Sequence, residues 1–125
     1  MRLKLIGIEE KQLKDYIVVT SKVKDLSHEK MAAMAAKMLK EDSKTAQDDL
    51  RRTLIESNLK LVIKIAARYR GAGLTFAALI VAGNSGLIKA VRNYKEDQAC
   101  GFMEHVNWTI EGVIIEALIE AKKED

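Results

Sequence analysis

The side chains of this chain that could do acid–base, nucleophilic or metal chemistry are few, and their spacing does not favour it. The only histidines are His28 and His105, and neither belongs to an H-x-x-x-H or H-E-x-x-H pair. Cys100 and His105 together are too few ligands for a structural zinc site. Glu104 is adjacent to His105, so on a helix the two side chains would point to different faces. We therefore predict no catalytic residue, no metal site and no cofactor, and hence no enzyme.

Two glycine motifs could in principle hold a phosphate group, namely Gly71-Ala-Gly73 and Gly83-Asn-Ser-Gly86. Phosphate-binding loops of this kind follow a β-strand and open a helix, and no strand is predicted before either motif. We interpret the first motif as a turn between helices. The second lies inside a predicted helix, where glycine allows another helix to approach closely.

Binding chemistry is better represented, through an uneven distribution of charge. The net charge is only +3, and residues 1–50 are nearly neutral. Residues 51–95 hold nine Lys or Arg against Glu56 alone, whereas residues 96–125 hold eight acidic residues against two lysines. A polyanion would be attracted to the middle of the chain and repelled by its end. The alternative is that these charges only solvate helix faces.

Helices must position these residues, because apolar side chains recur at the helical period along most of the chain. No proline is present to interrupt them. Helices are predicted at about residues 9–24, 28–41, 46–70, 76–94 and 102–122. Ser27, Thr45 and Thr75 are the predicted N-caps of the second, third and fourth helices. The predicted fold class is all-α, a compact bundle of about five helices with short connections.

Other features of the sequence indicate the setting of the protein. The single cysteine, Cys100, cannot form an internal disulfide and is typical of a reducing compartment. The longest apolar run, residues 74–83, is shorter than the ~18 residues needed to span a bilayer. The N-terminal residues lack the apolar core and cleavage site of a signal peptide. We expect a cytoplasmic protein with no membrane partner.

Two stretches of the chain match a known sequence pattern. The first, L-I-x-x-N-L-R-L-V-x-x-I-A-x-R-Y-x-G-x-G-L, is matched at Leu54, Ile55, Asn58, Leu59, Lys60, Leu61, Val62, Ile65, Ala66, Arg68, Tyr69, Gly71, Gly73 and Leu74. The second, L-I-x-x-G-N-x-G-L-x-x-A-V, is matched at Leu79, Ile80, Gly83, Asn84, Gly86, Leu87, Ala90 and Val91. Through these residues the chain resembles the sigma-70 family, the promoter-recognising subunits of bacterial RNA polymerase, over about residues 26–118. Most of the matches are scaffold positions, which report fold before function.

The resemblance implies the fold of the family's conserved helical domain, which binds core polymerase and the −10 promoter element. On this basis we expect residues 1–125 to form one sigma-like domain. Residues 1–45 would lead into a core at about residues 46–122. The family's C-terminal domain, which reads the −35 element, has no counterpart in the sequence. We therefore expect a divergent form that lacks this domain.

The resemblance also implies a polymerase-binding surface on the fourth predicted helix, which in the family grips a coiled coil on the largest-subunit clamp. The family's contacts are usually an Asp, a Gln-Glu pair, an Asn and an apolar residue. The corresponding positions here are Ala78, Val81, Ala82, Asn84 and Ile88. Three of these have lost polar atoms, and each lost charge-assisted hydrogen bond would cost roughly 1.5–3 kcal/mol. Either the surface now binds a partner through apolar contacts, or the helix is more buried here.

The DNA-binding positions implied by the resemblance are partly retained. The family stacks aromatic side chains on unpaired −10 bases, each stack contributing about 1–3 kcal/mol. The corresponding positions hold Phe102, His105 and Trp108, with Arg68 and Arg70 as basic candidates. The family's Arg-Gln pair that meets DNA is replaced by Glu111-Gly112, which would repel the phosphate backbone. Trp108 could equally be a core aromatic.

Three functions follow from these expectations. The first is a transcription initiation factor that binds RNA polymerase core and takes part in −10 recognition or opening, with weak contact to promoter DNA. The second is a sigma-derived regulatory or partner-binding module that no longer melts promoters. One form of it is half of a split factor, completed by a second sigma-like or regulatory protein. The third is a helical protein that binds nucleic acid non-specifically through residues 51–70.

Overall fold

The computed structural model describes residues 10–96 and 100–123, and within these residues it contains six helices and no strand. The helices are α1 (Glu10–Ser21), α2 (His28–Lys40), α3 (Lys44–Glu56), α4 (Leu59–Ala67), α5 (Phe76–Asn93) and α6 (Phe102–Lys123). The prediction of an all-α fold is confirmed. The predicted start of the first helix, at residue 9, lies outside the described residues.

Side-chain caps fix the beginnings of three helices. Ser27 Oγ accepts a hydrogen bond from the backbone N–H of Lys30 at 3.1 Å, as the sequence predicts for α2. Thr75 Oγ1 accepts one from Ala78 N–H at 3.1 Å, as predicted for α5. The prediction of Thr45 as a cap is wrong, because α3 begins at Lys44, two residues before the predicted start, and its cap is Ser43.

The predicted single helix over residues 46–70 is interrupted at Ser57 and Asn58. Asn58 has φ −112° and ψ 5°, outside the helical range. Its Nδ2 donates to the carbonyl oxygen of Leu54 at 2.7 Å, and Ser57 Oγ donates to that of Thr53 at 2.7 Å. These side chains satisfy carbonyls of the preceding turn locally, as such residues commonly do where a helix is broken. The prediction was wrong because periodicity alone does not register this competition.

The most extensive helix–helix contact is between α5 and α6. A Cβ atom on Gly86 would lie 2.9 Å from Ile110 Cα and 3.0 Å from the carbonyl oxygen of Thr109. One on Gly83 would lie 2.7 Å from Val62 Cγ1. Gly86 therefore lets the backbone of α6 approach α5, and Gly83 leaves room for the Val62 side chain of α4, the close helix–helix approach that the sequence predicts.

The hydrophobic core is built from α2 to α6. Its buried apolar residues are Met31, Ala35, Met38, Leu54, Val62, Ile65, Ala66, Leu79, Ile80, Leu87, Ala90, Val91, Tyr94, Phe102, Val106, Ile110 and Ile114. Helix α1 packs mainly on α4 and also reaches α5 through Tyr16. Among the described residues, no helix is both long enough and apolar enough to cross a membrane.

Candidate functional site

The outer face of α5 carries the five predicted polymerase-binding positions, Ala78, Val81, Ala82, Asn84 and Ile88. All five side chains are half-buried. Ala82 packs against the core, so burial accounts for the apolar residue there. Val81 and Ile88 lie seven residues apart on one side of the helix, which leaves a shallow apolar surface around Asn84.

Asn84 is held in place by the first helix. Its Nδ2 donates a hydrogen bond to the phenolic oxygen of Tyr16 at 3.1 Å. Its Oδ1 is buried and has no hydrogen-bond partner within residues 10–96 and 100–123. One polar atom of the α5 face is therefore engaged by α1, and the other is an acceptor that lacks a donor. Sequence reasoning did not connect α1 with this face.

A polar groove of about 410 Å³ lies between α2, α4 and α6. Lys60 and Lys64 of α4 and Arg68 at its C-terminal cap line the groove at one-turn intervals, and Met103 and Asn107 contribute from α6. Only Arg68 of these residues was predicted as a site residue. The i, i+4, i+8 spacing of the three cations could have indicated the others.

The floor and entrance of this groove are fixed by polar contacts. Asn58 is 1% exposed, and its Nδ2 lies 3.3 Å from Met31 Sδ. At the entrance, Lys60 Nζ pairs with Asp25 Oδ1 at 2.7 Å. Because the Asp25 side chain is 87% exposed, this ion pair is only weakly stabilising. Separating Lys60 from Asp25 would therefore cost little stability.

The predicted DNA-stacking aromatics of α6 do not share one surface. Phe102 is 2% exposed and packs edge-on against Tyr94, with ring centroids 5.0 Å apart. His105 is half-buried, and its Nε2 lies 3.0 Å from the carbonyl oxygen of Ala90. Trp108, in contrast, is 67% exposed. The ring of Phe102 is enclosed by the core, and its contact with a base stays a prediction.

The two predicted arginines are also separated. Arg68 lines the groove, whereas the guanidinium of Arg70 lies 4.5 Å from the centre of the Phe76 ring. The latter cation–π contact closes the turn between α4 and α5. This turn contains Gly71 and Gly73 with positive φ, as the Gly-x-Gly motif predicts. Trp108 is not among the residues that line the groove.

Glu111 of α6 accepts a hydrogen bond from a tyrosine in the turn that follows α4. Tyr69 Oη donates a hydrogen bond to Glu111 Oε2 at 2.6 Å. This bond, with some burial of the phenol, raises the pKa of Tyr69 above its usual value of 10.0. At Tyr94 it is chiefly burial that raises the pKa. A carboxylate is thus fixed on α6 where the resemblance would place a DNA-binding arginine.

Among the described residues, no group of three or more His, Cys, Asp and Glu side chains could hold a metal ion. The arrangement offers binding surfaces: an apolar face on α5, a cationic groove beside α4, and an exposed tryptophan on α6.

Comparison with known proteins identifies the family. Residues 54–124 match the family described as Sigma-70 region 2, a match that covers the end of α3 and all of α4 to α6. The chain is 40% identical over 73 residues to the RNA polymerase sigma factor SigA of Bacillus sp. That alignment covers 58% of this chain and 19% of the relative, so the chain spans about a fifth of the length of the relative it matches. Sigma factors are non-enzymatic transcription initiation factors, which agrees with the prediction that the chain is not an enzyme. Matched over more than half of its length, the chain belongs to the sigma-70 family.

Proposed function

We propose that this chain is a sigma-like transcription initiation factor that binds bacterial RNA polymerase core through the outer face of α5. The observation that carries the proposal is the half-buried apolar surface of Val81 and Ile88 around Asn84, within the matched residues. The Bacillus relative, an RNA polymerase sigma factor, supports the same partner. The contact on the polymerase would be the clamp of the largest subunit. Residues 46–122 would form the binding core, with residues 1–45 leading into it, in a cytoplasmic protein.

The chemistry of the α5 face predicts binding by burial of apolar surface rather than by charged hydrogen bonds. Ala78, Val81 and Ala82 have no side-chain donor or acceptor, so Asn84 is the main polar contact. Apolar contacts gain about 25 cal/mol per Å² of buried surface and are little affected by salt. We therefore expect polymerase binding that survives increased ionic strength.

The groove supports weak contact with single-stranded promoter DNA. Lys60, Lys64 and Arg68 provide positive charge along one wall, and Asn107 provides an amide on the other. Glu111 and the other glutamates of α6 oppose this attraction at the neighbouring surface. DNA contact would therefore contribute less to promoter selection than polymerase contact does.

The test is to measure binding of the full chain to purified core polymerase by biolayer interferometry. Val81→Asp combined with Ile88→Asp should weaken binding at least about tenfold, because two charges would be buried in an apolar contact. Leu39→Asp is the matched control, since Leu39 is an exposed apolar residue on α2. Val81→Gln with Ile88→Gln is a milder pair if the charged pair loses helicity by circular dichroism. Absence of wild-type binding at micromolar concentration, or equal binding by all variants, would contradict the proposal.

A second function is favoured by one specific observation, the carboxylate of Glu111 held on α6 by Tyr69. In this alternative the chain is a regulatory or partner-binding module that docks on polymerase but does not open promoters. In vitro transcription separates the two. A chain that binds core without supporting any open complex, even with Glu111→Arg, would favour the module.

A further inference from the structure

The outer face of α6 carries an apolar stripe that no described part of the chain covers. It consists of Trp108, Gly112, Ile115 and Ile119, and we refer to these four residues as the outer seam. Their spacing of four, three and four residues places them in one line along the helix. Trp108 is 67% exposed, Ile119 50% and Ile115 40%. Adjacent exposed residues of this size are typical of an interaction site.

A recess beside the seam gives it shape. A cavity of about 260 Å³ opens between the turn after α4 and the C-terminal half of α6, lined by Tyr69, Ala72, Ile115, Leu118, Ile119 and Lys122. At Gly112 a Cβ atom would meet nothing within 4 Å, so the seam is open at its centre. A large apolar side chain of a partner could enter the recess while the partner's backbone lies close to Gly112.

The charges around the seam restrict what can cover it. The described residues of α6 contain Glu104, Glu111, Glu116 and Glu120, and its two lysines lie in the last turn. Nucleic acid would be repelled by the glutamates. A second copy of the chain would place the same glutamate-bordered stripe against this one, which like-charge repulsion disfavours. A partner with complementary charge would therefore be basic around its apolar surface.

We infer that the outer seam is a docking site for an amphipathic α-helix of another protein, whose apolar stripe is bordered by Lys or Arg. The apolar residues of that helix would pack against Trp108 and Ile115 and enter the recess, and its cations would face Glu111 and Glu116. The seam is on a different helix from the α5 face. Substitutions on the seam therefore leave the residues of the α5 face unchanged.

Trp108 is the single tryptophan of the chain, so its emission reports directly on the seam. The full chain is titrated with a synthetic helical peptide of about three heptads, with Leu at positions a and d and Lys at e and g. One control peptide has Glu at e and g, and another keeps Lys but has Gln at a and d. The expected result is a shift of Trp108 emission to shorter wavelength, with roughly micromolar affinity for the Leu–Lys peptide. Each control should bind at least about tenfold more weakly.

Variants locate the binding surface. Ile115→Gln combined with Ile119→Gln should weaken the Leu–Lys peptide at least about tenfold while leaving helicity and Tm unchanged, because both residues are exposed. Val18→Gln with Val19→Gln on α1 is the matched control, since these valines are 52% and 67% exposed. The control pair should bind like the wild type.

Several outcomes would overturn the inference. One is no binding of the Leu–Lys peptide, and another is equal binding of all three peptides. A third is unchanged affinity of the Ile115/Ile119 double variant. Displacement of the peptide by a single-stranded −10 oligonucleotide, with a matching change in Trp108 emission, would assign the seam to nucleic acid. Seam-dependent dimers in sedimentation equilibrium would assign it to a second copy. Failure of polymerase binding leaves these outcomes unaffected, because the peptide test uses the chain alone.

Discussion

Helix α6 has two apolar faces that differ in what they contact. On the inner face Val106, Ile110 and Ile114 are fully buried, whereas on the outer face Trp108 and Ile119 are at least half exposed. The residue types are similar, so composition does not separate the two faces. The difference comes from α5, whose backbone approaches one side of α6 closely at Gly86. Which apolar residues stabilise the fold is therefore decided by where the neighbouring backbone lies.

The largest expected loss of stability comes from a substitution on the inner face of α6. Ile110→Ala should lower the free energy of unfolding by about 2–5 kcal/mol, because it removes buried methyl groups and leaves a cavity. Ile119→Ala on the outer face should change it by less than about 0.5 kcal/mol. Urea unfolding followed by circular dichroism measures both. Equal losses at the two positions would mean that the outer face is also part of the core.

A smaller effect comes from three glycines, each substituted by alanine. Gly86→Ala should cost about 1–3 kcal/mol, because the new Cβ would meet the backbone of Ile110 and Thr109, which cannot rotate away. Gly83→Ala should cost a similar amount, because its Cβ would lie 2.7 Å from Cγ1 of Val62, a fully buried β-branched side chain with little freedom to rotate. Gly112→Ala should stabilise the helix by up to about 1 kcal/mol, because nothing lies near and alanine favours helix. Thermal unfolding of the three variants gives the order, and a destabilised Gly112→Ala would contradict the open position of the seam.

The smallest expected change in stability concerns Tyr69, whose hydrogen bond to Glu111 connects the turn after α4 to α6. Its raised pKa means that the folded state holds the phenolic proton more tightly than the unfolded state does. This contribution is fully present below pH 10 and is lost as the pH rises through the raised pKa. Tyr69→Phe should lower stability at neutral pH by about 0.5–1.5 kcal/mol and reduce the alkaline decline. Tm measured between about pH 8 and 11 tests this. Because the pKa of Tyr94 is also raised, some decline should remain in the variant.

Much of the fold could be predicted from local chemistry. Ser27 and Thr75 cap the helices that the sequence assigns to them, and the Gly-x-Gly turn adopts positive φ. The break at Ser57 and Asn58 could not be predicted from periodicity, because Asn58 falls on the same stripe as the apolar residues around it. Its effect depends on a side-chain hydrogen bond to Leu54 that a hydropathy pattern does not contain.

The candidate sites were less predictable, for a different physical reason. Helix α6 is apolar on most of its circumference, so the helical period alone does not say which side faces the core. The resemblance implied that Phe102 meets DNA, and Phe102 is buried, whereas Trp108, left open between core and surface, is exposed. The groove was missed because α2, α4 and α6 contribute to it from distant parts of the sequence.

The burial of Asn58 has a consequence for the surfaces on either side of it. Its amide is hydrogen-bonded to the carbonyl of Leu54, contacts Met31 and is almost completely shielded from water. The backbone between α3 and α4 is therefore held in one conformation. The conformational entropy of this joint is lost during folding. The backbone that carries Lys60 and Lys64 is therefore already fixed, and a ligand in the groove would not have to order this joint as it binds.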